Sequence, residues 1–265
     1  MSVRAKKQLG QHFLKDENIA AKIAGTLEHS TKKVLEIGPG MGSLTKYLLK
    51  DWGENLWASE VDEESVEYLN IHYPGLKPNI IKGDFLQLDL SSVFSNEKIS
   101  LIGNFPYNIS SQILFKALDN RDKVVQVVGM FQKEVAKRIC SPHGNKDYGI
   151  LSVLVQAYYH TEYLFDVPPG AFNPPPKVNS GVIRLKKKSG FVLGCSEDLF
   201  KKIVKTAFNQ RRKKLSNALS GMLGGKKVEG DVWHLRAEQL SWQDFAALTN
   251  TIEGIMNINQ NQIVS

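Results

Sequence analysis

Asn104-Phe105-Pro106-Tyr107 brings two hydrogen-bond acceptors and an aromatic face to one point of the chain. The Asn104 amide oxygen and a nearby main-chain carbonyl, its direction stiffened by Pro106, can both accept from an exocyclic amine. Tyr107 can stack on the ring that carries the amine. Taken alone, the tetrapeptide matches a loop with a turn-forming Pro and a half-buried Tyr equally well. Gly38-Pro39-Gly40-Met41-Gly42 is a second candidate. Its glycines let the backbone approach a ligand closely, and the helix that follows points its amino end at the same place. Ser43 stands where a dinucleotide fingerprint needs its third glycine, and Glu36 just before the turn suits a positive group better than a pyrophosphate. Glu60 suits a ribose diol, although Asp62 and Glu63 beside it compete for that role and any of the three can cap a helix. Asp84 can accept from a ring amine with Phe85 alongside, or serve as an ordinary turn residue after Gly83.

The elements that must position these residues are legible as apolar runs. Ile99 to Ile102 reads as a short buried strand that ends at Asn104, where open α/β sheets put their ligands. Val34 to Ile37, Asn55 to Glu60 and Asn79 to Lys82 read as strands leading into the glycine turn, Glu60 and Asp84. Val124 to Met130 is apolar throughout, as the buried middle of a parallel sheet should be. Asp16 can cap a first helix whose apolar positions are Ile19, Ile23 and Leu27. Gln132 to Ile139 and Tyr148 to Tyr158 read as helices, and Thr161 to Val167 with Val178 to Leu185 as a hairpin pair. Between that pair lies Pro168 to Lys177, too proline-rich to be anything but extended and stiff. Phe172 on it is costly to leave exposed without a use. Lys186-Lys187-Lys188-Ser189-Gly190 marks a change of texture, which predicts one domain over 1–189 and a helical one over 190–265. The latter opens with the amphipathic pattern Leu199, Ile203, Val204, Ala207 and Phe208. It runs into Arg211-Arg212-Lys213-Lys214, a positive cluster joined by Lys201, Lys202, Lys205, Lys226 and Lys227, with Trp233, Leu240, Trp242, Phe245 and Leu248 as core candidates.

Composition narrows the class. The chain has 265 residues, 42% of them hydrophobic and 23% charged, and a formal net charge of +7. That length suits one large and one small domain, and the charge favours a polyanionic partner. Cys140 and Cys195, the two cysteines, have neither metal-ligand nor disulfide-scaffold spacing, so two reduced thiols and no metal are expected. Met1 to Gly10 is basic without the apolar centre of a signal peptide, and no apolar run is long enough to span a membrane. A cytoplasmic protein is expected.

Taken together, these stretches closely resemble the small-subunit ribosomal RNA adenine dimethyltransferases, the KsgA family, over nearly the whole chain. The resemblance rests on Gly10-Gln11-His12-Phe13-Leu14, Glu36-Ile37-Gly38-Pro39-Gly40, Asn104 through Ser110 and Gln132-Lys133-Glu134-Val135. It rests most specifically on Phe172 with Pro174, Pro176, Lys177 and Val178, and on Phe208 through Leu215. Two departures stand out: His12 where many relatives have Asn, and Phe105 where many have Leu. The resemblance implies a Rossmann-like, S-adenosylmethionine-dependent methyltransferase sheet with a small all-helical C-terminal domain. It implies S-adenosylmethionine as the methyl donor and cofactor contacts at His12, Leu14, Gly38, Glu60, Asp84 and Asn104. Two adjacent adenosines near the 3′ end of 16S rRNA, in an immature small subunit, would each receive two methyls on N6. Asn104, Pro106, Tyr107 and Phe172 would hold the adenine, and Arg211, Arg212, Lys213 and Lys214 would dock the RNA to a monomeric enzyme. Two other readings share these features: a macrolide-resistance methyltransferase acting on large-subunit RNA, and a non-catalytic assembly or nucleic-acid-binding factor of the same fold.

Overall fold

The computed structural model describes residues 3–224 and 226–263. Among these residues nine strands follow one another along the chain: β1 (Phe13–Leu14), β2 (Lys33–Ile37), β3 (Leu56–Glu60), β4 (Ile80–Lys82), β5 (Ile99–Asn104), β6 (Val124–Gln132), β7 (Tyr159–Val167), β8 (Phe172–Asn173) and β9 (Ser180–Lys187). The α-helices between and after them are α1 (Glu17–Ala24), α2 (Thr45–Trp52), α3 (Glu63–His72), α4 (Leu90–Phe94), α5 (Ser110–Asp119), α6 (Lys133–Cys140), α7 (Ile150–Tyr158), α8 (Glu197–Asn209), α9 (Leu215–Ala218), α10 (Ser220–Leu223) and α11 (Trp242–Ile263).

Seven strands form one sheet in the order β4-β3-β2-β5-β6-β9-β7. β4 through β6 pair in parallel, and β9 then joins β6 antiparallel. Parallel strands need covering on both faces, which is why β5 is buried at every residue but Asn104. The chain winds outward in opposite directions from β2 and β5, so their carboxyl ends flank the switch point where such sheets bind ligands. Parallel pairing puts the ends of β2, β3, β4 and β5 on the same edge, and those ends carry the glycine turn, Glu60, Asp84 and Asn104.

The amino-terminal arm is fastened to this edge. Phe13 and Leu14 pair antiparallel with Asn173 and Phe172 as a two-stranded sheet. Lys15 donates to the Ala171 carbonyl at 2.8 Å, and Ser43 Oγ donates to the Leu14 carbonyl at 2.6 Å. Lys6 bridges to Asp62 and, at 3.1 Å, to Glu64. Asp16 caps α1 by accepting from the Ile19 amide at 3.0 Å, as its sequence position predicts. The helix stops at Ala24, before Leu27: the Gly25 amide still donates four residues back to Ala21, but those of Thr26 and Leu27 reach back only three, to Ile23 and Ala24.

Packing divides the chain into two units. One holds the sequence up to Lys137 together with His160–Lys187; the other holds Arg138–Tyr159 and Lys188 onward. The sequence-based boundary at 189/190 lies beside the later junction. Arg138–Tyr159, which precedes that boundary, packs with the C-terminal residues, because the apolar helix α7 meets α8 and α11. In that second unit Phe200, Ile203, Val204 and Ala207 form the buried face of α8, while Trp233, Leu240, Phe245 and Leu248 are buried with them. Trp242 lies at the margin of this core, edge-on to Phe191 and under the Lys188 ammonium. Among the described residues no helix is long and apolar enough to cross a membrane, and no cluster of His, Cys, Asp or Glu is placed to hold a metal ion.

Candidate active site

A cavity of about 240 Å³ opens at the carboxyl edge of the sheet. Its walls come from the arm, the glycine turn, and the segments after β3, β4 and β5. His12, Gly38, Glu60, Asp84, Asn104, Pro106 and Tyr107 all line it. Leu14 lines a small adjoining hollow of about 30 Å³ with Glu36, Gly38, Ser43 and Asn104.

Gly38, Gly40 and Gly42 have φ of +64°, +55° and +80°, a run of left-handed backbone that a side chain would strain. A Cβ at Gly40 would strike the Phe13 ring, whereas a Cβ at Gly38 would meet nothing within 4 Å. Gly38 is therefore bare backbone beside open space. Glu60 is 3% exposed. Its Oε2 accepts from the Gly40 amide at 3.0 Å, and its Oε1 from the Val61 and Asp62 amides at 2.9 Å each. Burial pushes its carboxyl up, and the three amides only partly offset this. Those bonds fill three of about four acceptor positions on a carboxylate, so a diol would add to or displace one of them.

Glu36 is buried more deeply, at 1% exposure, and accepts from Thr45 Oγ1 at 2.6 Å and from the Thr45 backbone. Burial raises its carboxyl to about 8. A cation brought into the hollow would reverse that shift, because an opposite charge favours the ionised form. Asp84 is exposed, and its Oδ1 accepts from the Leu86 amide at 2.8 Å, so it is both a turn cap and a cavity carboxylate. Asp62 answers to the arm instead. Burial acts to raise it, but bonds from Lys6, Ser65 and Gln11 hold it below the usual carboxylate range.

Asn104 Nδ2 donates to the His12 carbonyl at 2.8 Å, which leaves Oδ1 as the accepting end of the amide. The Pro106 carbonyl accepts from the Ile109 amide at 3.1 Å. The Tyr107 ring lines the cavity with its hydroxyl 2.5 Å from Ser180 Oγ. Burial raises the Tyr107 phenol, opposed by the Ser180 bond. The His12 ring sits 5.7 Å from the Tyr107 ring, and its Nδ1 lies 2.8 Å from the Pro174 carbonyl. Behind them Phe105 is 1% exposed and meets Phe131 edge-on; a Cβ at Gly103 or Gly129 would run into its ring.

Two expectations change here. Phe172, expected to help hold the adenine, is 1% exposed in the core formed with Leu14, Ile23 and Val182. It pairs with Leu14 across the two-stranded sheet. Arg211, expected to meet RNA, is tied within the helical unit: Nε to Glu238 at 3.2 Å and a terminal nitrogen to the Lys146 carbonyl at 2.7 Å. Arg212, Lys213 and Lys214 are exposed.

Thr45, Gln11, Lys6 and Ser180 escaped sequence reasoning. Thr45 lies nine positions after Glu36 on the next element. Ser180 lies 73 positions from Tyr107, and only the sheet register brings them together.

The ribosomal RNA adenine dimethylase family model matches residues 2–253. The ribosomal RNA small subunit methyltransferase A of Flavobacterium johnsoniae is 55% identical over 253 residues, covering 95% of this chain and 97% of its own. Among solved structures, a dimethyladenosine transferase from Plasmodium falciparum superposes with a TM-score of 0.77 at 26% identity, covering 92% of this chain and 98% of its own. The 23S rRNA methyltransferase ErmE gives a TM-score of 0.67 at 25% identity, covering 90% and 99%.

Proposed function

The chain belongs to the ribosomal RNA adenine dimethylase family, and from that premise we propose that it methylates N6 of adenine in ribosomal RNA with S-adenosylmethionine as donor. The observation that carries the reading is the convergence of Asn104, Glu60 and Asp84 on one cavity at the switch point of the sheet. The residues fit the donor. Gly38 offers bare backbone beside open space, Glu60 a buried carboxylate for ribose hydroxyls, and Asp84 an acceptor for the adenine amine. Glu36 offers a buried carboxyl for an amino group, and the main chain of His12 and Leu14 closes the remaining side. Bound there, S-adenosylmethionine supplies an electrophilic methyl on a sulfonium.

The protein's part is orientation. Adenine N6 is a weak nucleophile because its lone pair is delocalised into the ring. Asn104 Oδ1 and a nearby main-chain carbonyl accept its two hydrogens and aim the lone pair out of the ring plane. Such positioning can lower a barrier by up to about 7–11 kcal/mol when orientation is near ideal. Tyr107 gives the extruded base a stacking face, worth roughly 1–3 kcal/mol. No strong base is needed, since methylated N6 loses its proton readily to water.

The substrate is two adjacent adenosines in the 3′-terminal hairpin of 16S rRNA, within an immature small subunit in the cytoplasm. Each receives two methyls from a monomeric enzyme. The helical domain, residues 190–265, docks the RNA through Arg212, Lys213 and Lys214, with net charge +7 supporting a polyanionic partner. The test is methyl transfer to purified small subunits lacking the modification, with the product nucleoside identified. Dimethyladenosine at adjacent sites supports the reading. Transfer to large-subunit RNA alone, or none to either, rejects it.

A further inference from the structure

We infer that Ser180 is a positioning residue for the methyl transfer, holding the Tyr107 ring at the angle the target base needs. The inference rests on the methyl-transfer reading above. Tyr107 is fixed at both ends. Its carbonyl accepts from Ser110 Oγ at 3.2 Å, and its hydroxyl meets Ser180 Oγ at 2.5 Å. The first contact places the backbone; the second sets where the far end of the ring points. A ring held only at Cα can swing about χ1 and χ2, and stacking energy is lost when the face tilts away.

Ser180 is well suited to be the fixed partner. It is 0% exposed and opens β9, where it pairs with Gln132 of β6, and the neighbouring Lys133 amide donates to the Asn179 carbonyl at 2.9 Å. A Cβ at Gly181 would strike Tyr163 and Ala136, so this end of β9 is closely packed. The same ladder carries Asn104. Met130 of β6 pairs with Asn104 on one side and with Val182 on the other. The acceptor for N6 and the anchor of the stacking ring thus hang from rungs two residues apart on one sheet. Their separation is set by β-sheet geometry rather than by loop conformation, and a displacement of about 1 Å at a reacting centre can cost roughly a hundredfold in rate.

Such an anchor should act on the chemical step and leave the donor alone, because Ser180 does not line the cavity. The experiment is single-turnover methylation of unmodified small subunits at saturating donor, with donor affinity measured separately by calorimetry, for Ser180→Ala, Tyr107→Phe and the double variant. Loss of one hydroxyl–hydroxyl bond predicts a rate roughly three- to tenfold lower in each single variant. Donor affinity should stay within about twofold, and the double variant should be no slower than either single one, since both remove the same bond. A Ser180→Ala enzyme at full rate overturns the inference. So do losses that multiply in the double variant, or a rate loss matched by an equal loss of donor affinity. Tyr107→Phe breaks the bond from the other side, so a poorly folding Ser180→Ala protein does not decide the matter. A wild-type protein that methylates no adenine sinks the functional reading; an active one indifferent to Ser180 sinks only the anchor.

Discussion

At the scale of single residues, two buried carboxyls divide the work of one cavity by their surroundings. Glu60 is ringed by the backbone amides of three residues, while Glu36 is held by one residue, Thr45. Replacing Glu60 by Ala removes the diol's acceptors and strands the Gly40, Val61 and Asp62 amides. Donor affinity should fall by roughly tenfold or more, at about 1.5–3 kcal/mol for a hydrogen bond to a charged group, with some loss of thermal stability. Calorimetry that finds unaltered affinity would remove Glu60 from the site. Glu36 makes a pH prediction. Its folded value of about 8 lies above the ordinary 4.5 of the unfolded chain, so the folded state holds the extra proton between those limits. Its stabilising contribution is complete below about 4.5 and fades as pH rises through about 8. Melting temperatures without donor should show this fall, and Glu36→Gln should flatten it; an equally steep profile in the variant would rule the assignment out.

At the scale of elements, the loop after α8 holds like charges in unlike surroundings. Arg211-Arg212-Lys213-Lys214 reads as one positive run, yet Arg211 spends its fork on Glu238 and the Lys146 carbonyl. Arg212→Ala should weaken binding to small subunits and lower the slope of log K against log salt by roughly 0.7–0.9 for each phosphate that is no longer neutralised. Arg211→Ala should instead lower the melting temperature and leave the salt slope nearly intact. The reverse pattern would mean that the guanidinium leaves its partners when RNA arrives. The strands at the site edge were legible because each combines an apolar run with a polar residue at its end: Glu60 after Leu56 to Ser59, Asn104 after Ile99 to Gly103. Phe172 was not, because its environment is made by a two-residue strand pairing with Leu14, 158 positions away, and nothing local announces such a bridge.

At the scale of the molecule, a parallel sheet could be anticipated from its apolar strands, whereas the division into units could not. Arg138–Tyr159 joins the C-terminal residues through contacts of α7 with α8 and α11 that no local pattern encodes. The arm has the same character. Its Gln11-His12-Phe13-Leu14 stretch is legible only as a motif, and the wall it builds depends on Asp62, Pro174 and Phe172. Because the arm closes the cavity, donor binding should slow amide exchange at residues 8–13 together with those at 38–40, 60–62 and 104–109. Exchange over 138–159 and beyond 188 should stay nearly as it was. Exchange mass spectrometry with and without donor measures both, and an arm whose exchange rates do not respond would show that it takes no part in closure.

The Phe105 ring fills the space that Gly103 and Gly129 leave bare. A shorter Leu at 105 would relax the larger of those demands on position 129, whereas the Phe105 ring closes the position to any side chain. Gly129→Ala should lower the melting temperature sharply in this background, and part of the loss should return in Gly129→Ala with Phe105→Leu, with Phe131 accounting for the remainder. Equal losses in both backgrounds would show that the two positions are free to drift apart.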